Sequence, residues 1–168
     1  IACIDTSGSM TGKPEQVAKA LTLALARVAS GGGRPCYLIS FSTDIRTYEL
    51  ADAATLPELT EFLAFSFHGG TDLRPALEES LRVLETRRYR RADVLVVSDF
   101  RVPKLLERHT RRIAWVQSEL GTLFHSVTVS PGPPVDPMHI FDFHWHYDTT
   151  VREGGIVALE QGIELDDG

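Results

Sequence analysis

A doubly wound α/β fold, with a mainly parallel sheet, one antiparallel edge strand and helices on both faces, follows from three observations. Short, nearly all-apolar runs at residues 1–4, 37–41 and 94–97 alternate with longer segments of helical periodicity. The runs lack polar alternation, as expected of strands covered on both faces. Small polar residues close them, at Asp5-Thr6-Ser7, Ser42-Thr43-Asp44 and Ser98-Asp99. With 168 residues, 43% of them hydrophobic, the chain can bury the core of one domain. Residues 1–148 carry the pattern, and 149–168 form an unassigned tail.

Taken in order, the first strand gives way to a turn, Asp5-Thr6-Ser7-Gly8-Ser9-Met10. A helix follows with Val17, Leu21, Ala24, Leu25 and Val28 on one face. Thr11 or Gly12 can cap it, Pro14 suits its first turn, and Gly31-Gly32-Gly33 ends it. Residues 37–41 make the second strand, and a tight turn leads to 45–50, which would pair antiparallel at the sheet edge. Thr55 and Glu58 have capping-box spacing ahead of a short helix through Leu59, Phe62 and Leu63. The loop His68-Gly69-Gly70-Thr71-Asp72 opens a helix carrying Leu73, Leu77, Leu81 and Leu84, with Pro75 in its first turn. A strand at 94–97 and a helix through Leu106, Ile113, Val116 and Leu120 follow. Strands at 122–130 and 141–148 flank a proline-rich loop, and residues 156–161 could form a helical turn or two. Helices alternating with strands imply a parallel sheet.

The net charge of −6 argues against nucleic acid as the main partner. A basic stretch, Arg82, Arg87, Arg88, Arg90 and Arg91, reads first as solvated helix ends. Its sharper reading is a patch for an acidic protein or anionic lipid. Cys3 and Cys36 sit in strand-like runs and read as buried free thiols rather than a disulfide framework. No apolar run approaches the length of a membrane span, and no signal peptide is visible. The first residue already lies inside a strand, so the chain reads as a piece of a longer protein.

In open α/β sheets, ligands bind beyond the carboxyl ends of the strands, where strand order reverses. If the three polar loops meet there, hydroxyls of Ser7, Ser9 and Thr71 join carboxylates of Asp5 and Asp99. That set nearly fills the all-oxygen shell of Mg²⁺; Mn²⁺ or Ca²⁺ would also be accepted. Neutral hydroxyls quench little of the cation's charge, which leaves an electrophilic position for an Asp or Glu of another protein.

DxSxS, then Gly-Gly-Thr-Asp, then an apolar strand ending in Ser-Asp, resembles the von Willebrand factor A domain and its metal-ion-dependent adhesion site. The resemblance implies a Rossmann-like doubly wound fold, with Ser7, Ser9, Thr71, Asp5 and Asp99 around the metal. Residues 36–43, 67–73, 97–100 and 140–142 are further similar to the bacterial ViaA branch. That branch implies a cytoplasmic protein, in part peripheral at the inner membrane, that modulates a MoxR-type AAA+ ATPase of the RavA kind. Its members carry a long helical region ahead of this domain, which this sequence does not include. Met10, His68, Asp72, Arg87, Arg88, Arg90 and Arg91 are the candidate partner-facing residues.

The same residues admit rival readings. Gly8-Ser9-Met10-Thr11-Gly12-Lys13 has only three residues between its glycines and Pro14 after the lysine, which excludes a P-loop. A Mg²⁺-dependent phosphotransfer enzyme could use Asp5 as nucleophile, but Ser7 stands where a second carboxylate would serve as acid or base. The expectation is therefore binding without catalysis. An extracellular adhesion module is the other alternative. His144 and His146 share a strand face and are read as packing residues rather than a second metal site; Trp115 and Trp145 are read as packing residues too. Asp72 is read as a helix cap.

Overall fold

The computed structural model describes residues 1–50, 56–133, 138–151 and 157–159. The strands are β1 (Ala2–Asp5), β2 (Cys36–Phe41), β3 (Ile45–Leu50), β4 (Val94–Ser98), β5 (Phe124–Ser130), β6 (Phe143–Asp148) and β7 (Val157–Leu159). The helices are α1 (Lys13–Gly31), α2 (Leu56–Ala64), α3 (Arg74–Leu84) and α4 (Glu107–Leu120). Strand order is β3-β2-β1-β4-β5-β6-β7. The five inner strands run parallel, and both edges are antiparallel, β3 against β2 and β7 against β6.

The sheet is covered on both faces, which is why its central strands are apolar without alternation. On one face Cys3, Ile39, Phe41, Val94 and Val96 pack against Leu77, Leu81 and Leu84 of α3 and Ile113 of α4. On the other, Ile4, Leu38, Val97 and Val127 pack against Ala18 of α1 and Phe62 of α2. Pro75 stands in the first turn of α3, where its missing amide costs no helical hydrogen bond.

Several expectations change. The far edge carries a second antiparallel strand, β7, where residues 156–161 suggested helical turns. The buried stripe of α1 is centred on Ala18 and Thr22, with Val17, Leu21 and Leu25 of the expected face packed partly buried beside it, while Ala24 is exposed and Val28 is 62% exposed. Thr22 turns its hydroxyl back onto the Ala18 carbonyl, 2.9 Å away, so a polar side chain enters the core satisfied. Gly12, at φ +88°, is the residue before α1, and Thr11 instead donates to the Phe67 carbonyl. Trp115 is exposed on α4 rather than packed. The cap expected from Thr55, part of the proline-rich loop and residues 160–168 lie outside the described residues. Among the described residues no helix is long and apolar enough to cross a membrane.

Candidate metal centre

Beside β1 the chain goes to β2 on one side, while β4 pairs on the other, so the crevice between the ends of β1 and β4 is the switch point. Register places Ile4 opposite Val97 at the end of the paired stretch, and Asp5 and Ser98 each follow one residue on. Ser98 Oγ donates to Asp5 Oδ2 at 2.5 Å, and the Ser7 amide donates to Asp5 Oδ1 at 2.9 Å. Both Asp5 oxygens are thereby fixed. The hydroxyls of Ser7 and Ser9 lie 3.2 Å apart.

The third loop is held against the first by backbone. The Gly8 amide donates to the Gly69 carbonyl at 3.0 Å, and the His68 amide donates to the Thr6 carbonyl at 2.9 Å. Thr71 stands two residues beyond that contact, in the same loop. The two glycines suit this loop for different reasons: Gly69 sits at φ +89°, a left-handed conformation, and a Cβ on Gly70 would meet Thr43 Cγ2 at a tight 3.1 Å. Asp72 anchors the loop's end, since its amide donates to the Ser42 carbonyl at 2.7 Å. Its carboxylate accepts the Arg74 amide at 3.0 Å and the Arg74 guanidinium at 2.6 Å. Asp72 thus receives the first amide of α3 from one residue before the N-cap, Leu73, rather than from the cap position itself, and Arg74 holds its carboxyl below the ordinary range.

Asp5 is fully buried, Ser7 likewise, and Asp99 is 5% exposed, whereas Ser9 is exposed at the rim. Burial pushes the Asp5 carboxyl above its ordinary range; hydrogen bonds from Ser7 and Ser98 oppose this, and the nearby Asp99 charge adds to it. Among the described residues, only Arg101 comes within ion-pair distance of either carboxylate, at 3.7 Å from Asp99 Oδ2. Two buried, neighbouring carboxylates with so little positive charge around them are costly unless a proton or cation joins them. The donor set is all oxygen and opens to solvent at Ser9, so the residues present fit a hard cation. Ser98 and Arg101 were not singled out from sequence as site residues. Their positions, one before and two after Asp99, were the available signal.

The candidate partner-facing residues divide. Met10 is fully buried and packs with Ile4 and Ala18, so it faces no partner. His68 is exposed next to the glycine doublet, its ring edge-on to Phe65. Arg87, Arg88, Arg90 and Arg91 are exposed, with Arg88 paired to Glu49 at 2.9 Å. They precede β4, so they lie at the opposite end of the sheet from the carboxylates. A groove of about 640 Å³ lies at that far end, lined in part by Leu25, Val28, Leu95 and Trp145. His144 and His146 are buried and engaged by Ser126 at 2.7 Å and Ser130 at 3.3 Å, as packing residues would be.

The family profile of the von Willebrand factor type A domain matches residues 1–101. Over 152 residues the chain is 40% identical to "Regulatory protein ViaA" of Edwardsiella ictaluri (strain 93-146), covering 90% of this chain and 31% of the relative. It is 42% identical to "Regulatory protein ViaA" of Proteus mirabilis (strain HI4320), with the same two coverages. The chain thus spans about a third of the length of these relatives. Among solved structures, the conserved hypothetical protein BatB of Bacteroides thetaiotaomicron superposes with a TM-score of 0.62 at 15% identity. That superposition covers 96% of this chain and 79% of BatB, and it speaks to the fold alone. By fold, by the order of its loops and by the profile match, the chain belongs to the von Willebrand factor type A domain family.

Proposed function

We propose that this domain is a metal-dependent docking module of a regulatory protein, binding an acidic side chain of a partner through a Mg²⁺ site. The observation that carries the reading is the convergence of buried Asp5 and Asp99 with the Ser7 and Ser9 hydroxyls at the switch point. Ser7, Ser9 and Thr71 would supply hydroxyl oxygens, and Asp5 and Asp99 the negative charge, directly or through water. Bound there, Mg²⁺ would supply an electrophilic position that a carboxylate can fill. Both oxygens of Asp5 are occupied by Ser7 and Ser98, which suits holding a shell and not nucleophilic attack.

The partner we favour is a MoxR-type AAA+ ATPase, because the relatives at 40–42% identity are named regulatory proteins and their branch works with such an ATPase. Arg87, Arg90 and Arg91 form a second candidate surface for acidic protein or anionic lipid. The working place in this reading is the cytoplasm, at times against the inner membrane.

Thermal melting in Mg²⁺ and in EDTA tests the site. A ligand at about 100-fold its dissociation constant stabilises by about 2.7 kcal/mol. For a chain of this size that is a rise in Tm on the order of 5–10 °C. Ser9→Ala and Asp99→Ala should abolish the rise. Binding to the purified ATPase should be lost in EDTA and in the same variants. An equal Tm in Mg²⁺ and EDTA, or undiminished partner binding by Asp99→Ala, defeats the reading. Charge reversal at Arg90 and Arg91 with lipid and partner binding intact removes the second surface.

A further inference from the structure

We propose that Arg101 is the resident counter-charge of Asp99, which an incoming cation must displace, so that Arg101 sets the metal affinity of the site. The inference rests on the metal reading above and concerns a residue outside the donor set.

The turn after β4 is built to return residue 101 over residue 99. Asp99 Oδ1 accepts the Arg101 amide at 3.0 Å, and Arg101 Nε lies 3.7 Å from Asp99 Oδ2. Between them Phe100 takes φ +56°, the only positive φ of a non-glycine among the described residues. A bulky residue there is strained. The cost is offset by the Phe100 ring, packed edge-on to Phe141 at 5.5 Å, and by its amide, which donates to Ser98 Oγ at 2.9 Å. Ser98 is the residue that also fixes Asp5. One serine therefore ties the shape of the turn to the first carboxylate.

The contact is loose by the standard of this protein. Arg74 meets Asp72 at 2.6 Å and Arg82 meets Glu79 at 2.6 Å, each through two nitrogens, whereas Arg101 stays 3.7 Å from Asp99 and its side chain is 72% exposed. A guanidinium so placed lessens the repulsion between Asp5 and Asp99, yet it is held weakly enough to leave. It competes with a cation for Asp99 and repels the cation while it stays. Removing its charge should therefore favour the metal.

Isothermal titration of the chain with MgCl₂ at fixed ionic strength tests this with Arg101→Gln, Arg101→Lys and Arg111→Gln. Arg111 pairs with Glu107 at 2.6 Å on the exposed face of α4 and controls for the change in net charge. The expected result is Mg²⁺ binding about two- to fivefold tighter in Arg101→Gln, the range of a largely exposed ion pair. Arg101→Lys and Arg111→Gln should stay near the parent. In EDTA, Arg101→Gln should melt below the parent, and saturating Mg²⁺ should close or reverse the gap. Parent-like or weaker Mg²⁺ binding by Arg101→Gln overturns the role of Arg101 and leaves the metal site standing. Failure of the parent to bind Mg²⁺ overturns both.

Discussion

Cys3 lies fully buried on β1, where desolvation pushes its thiol up to about 11 against the hydrogen bond with Ser80. Burial also raises the half-buried Cys36. Both thiols should resist iodoacetamide at neutral pH in the folded chain and react after denaturation, since the thiolate is the nucleophile; mass spectrometry reads the outcome, and rapid native labelling of Cys3 would contradict it. Asp72 gives a pH-dependent case. Arg74 lowers its folded pKa, so its stabilising effect is present above about pH 3.9 and is lost as pH falls through the folded value. With the pair about one quarter to one third exposed, Asp72→Asn should cost no more than ~1 kcal/mol at pH 7. That penalty should shrink in urea melts toward pH 3; a penalty constant with pH would argue against the linkage. At this scale the candidate donor residues could be named from sequence because their types, spacing and order are chemically specific. Met10 was not, because an apolar residue in a polar turn can face either way until the turn is folded. Arg101 was not, because its relation to Asp99 depends on the left-handed Phe100.

α4 ends at Gly121, in the left-handed conformation at φ +66°, with its amide donating to the Gln117 carbonyl at 3.1 Å. Nothing lies within 4 Å of where a Cβ would stand, so the penalty of substitution is purely one of backbone. Gly121→Ala should cost about 1 kcal/mol and Gly121→Asn less, measured by urea unfolding; an equal cost for both would point to packing. α1 shows where periodicity ran short. Alanines and leucines through residues 17–29 supply more than one apolar stripe, and the sheet centred burial on Ala18 and Thr22, with Val17, Leu21 and Leu25 partly buried beside them. The leucines of α3 offered a single stripe, and that is the one buried. β7 has three residues, too few to display a period of two against a helical one.

Strand order puts the carboxylates at one end of the sheet and the arginine run at the other, so the two candidate surfaces are separated by the length of a strand. β7 covers the outer edge of β6. A chain ending at Asp148 would leave that edge bare beside Phe143, which is 48% exposed, and unpaired apolar edges template association. Truncation there should lower Tm and increase light scattering on heating, and an unchanged melting and scattering profile would show that β7 contributes little. By itself the sequence determined the α/β class and the order of nearly all elements, and it named five residues as candidate oxygen donors. Those properties are written in residues close along the chain, as apolar period, turn chemistry and motif spacing. Only the tertiary structure decided which stripe of α1 is buried, which residue joins β4 to Asp5, and which cation stands over Asp99. Ser98 and Asp5 are 93 positions apart and meet at 2.5 Å, because β1 and β4 lie side by side in a sheet that no local pattern describes.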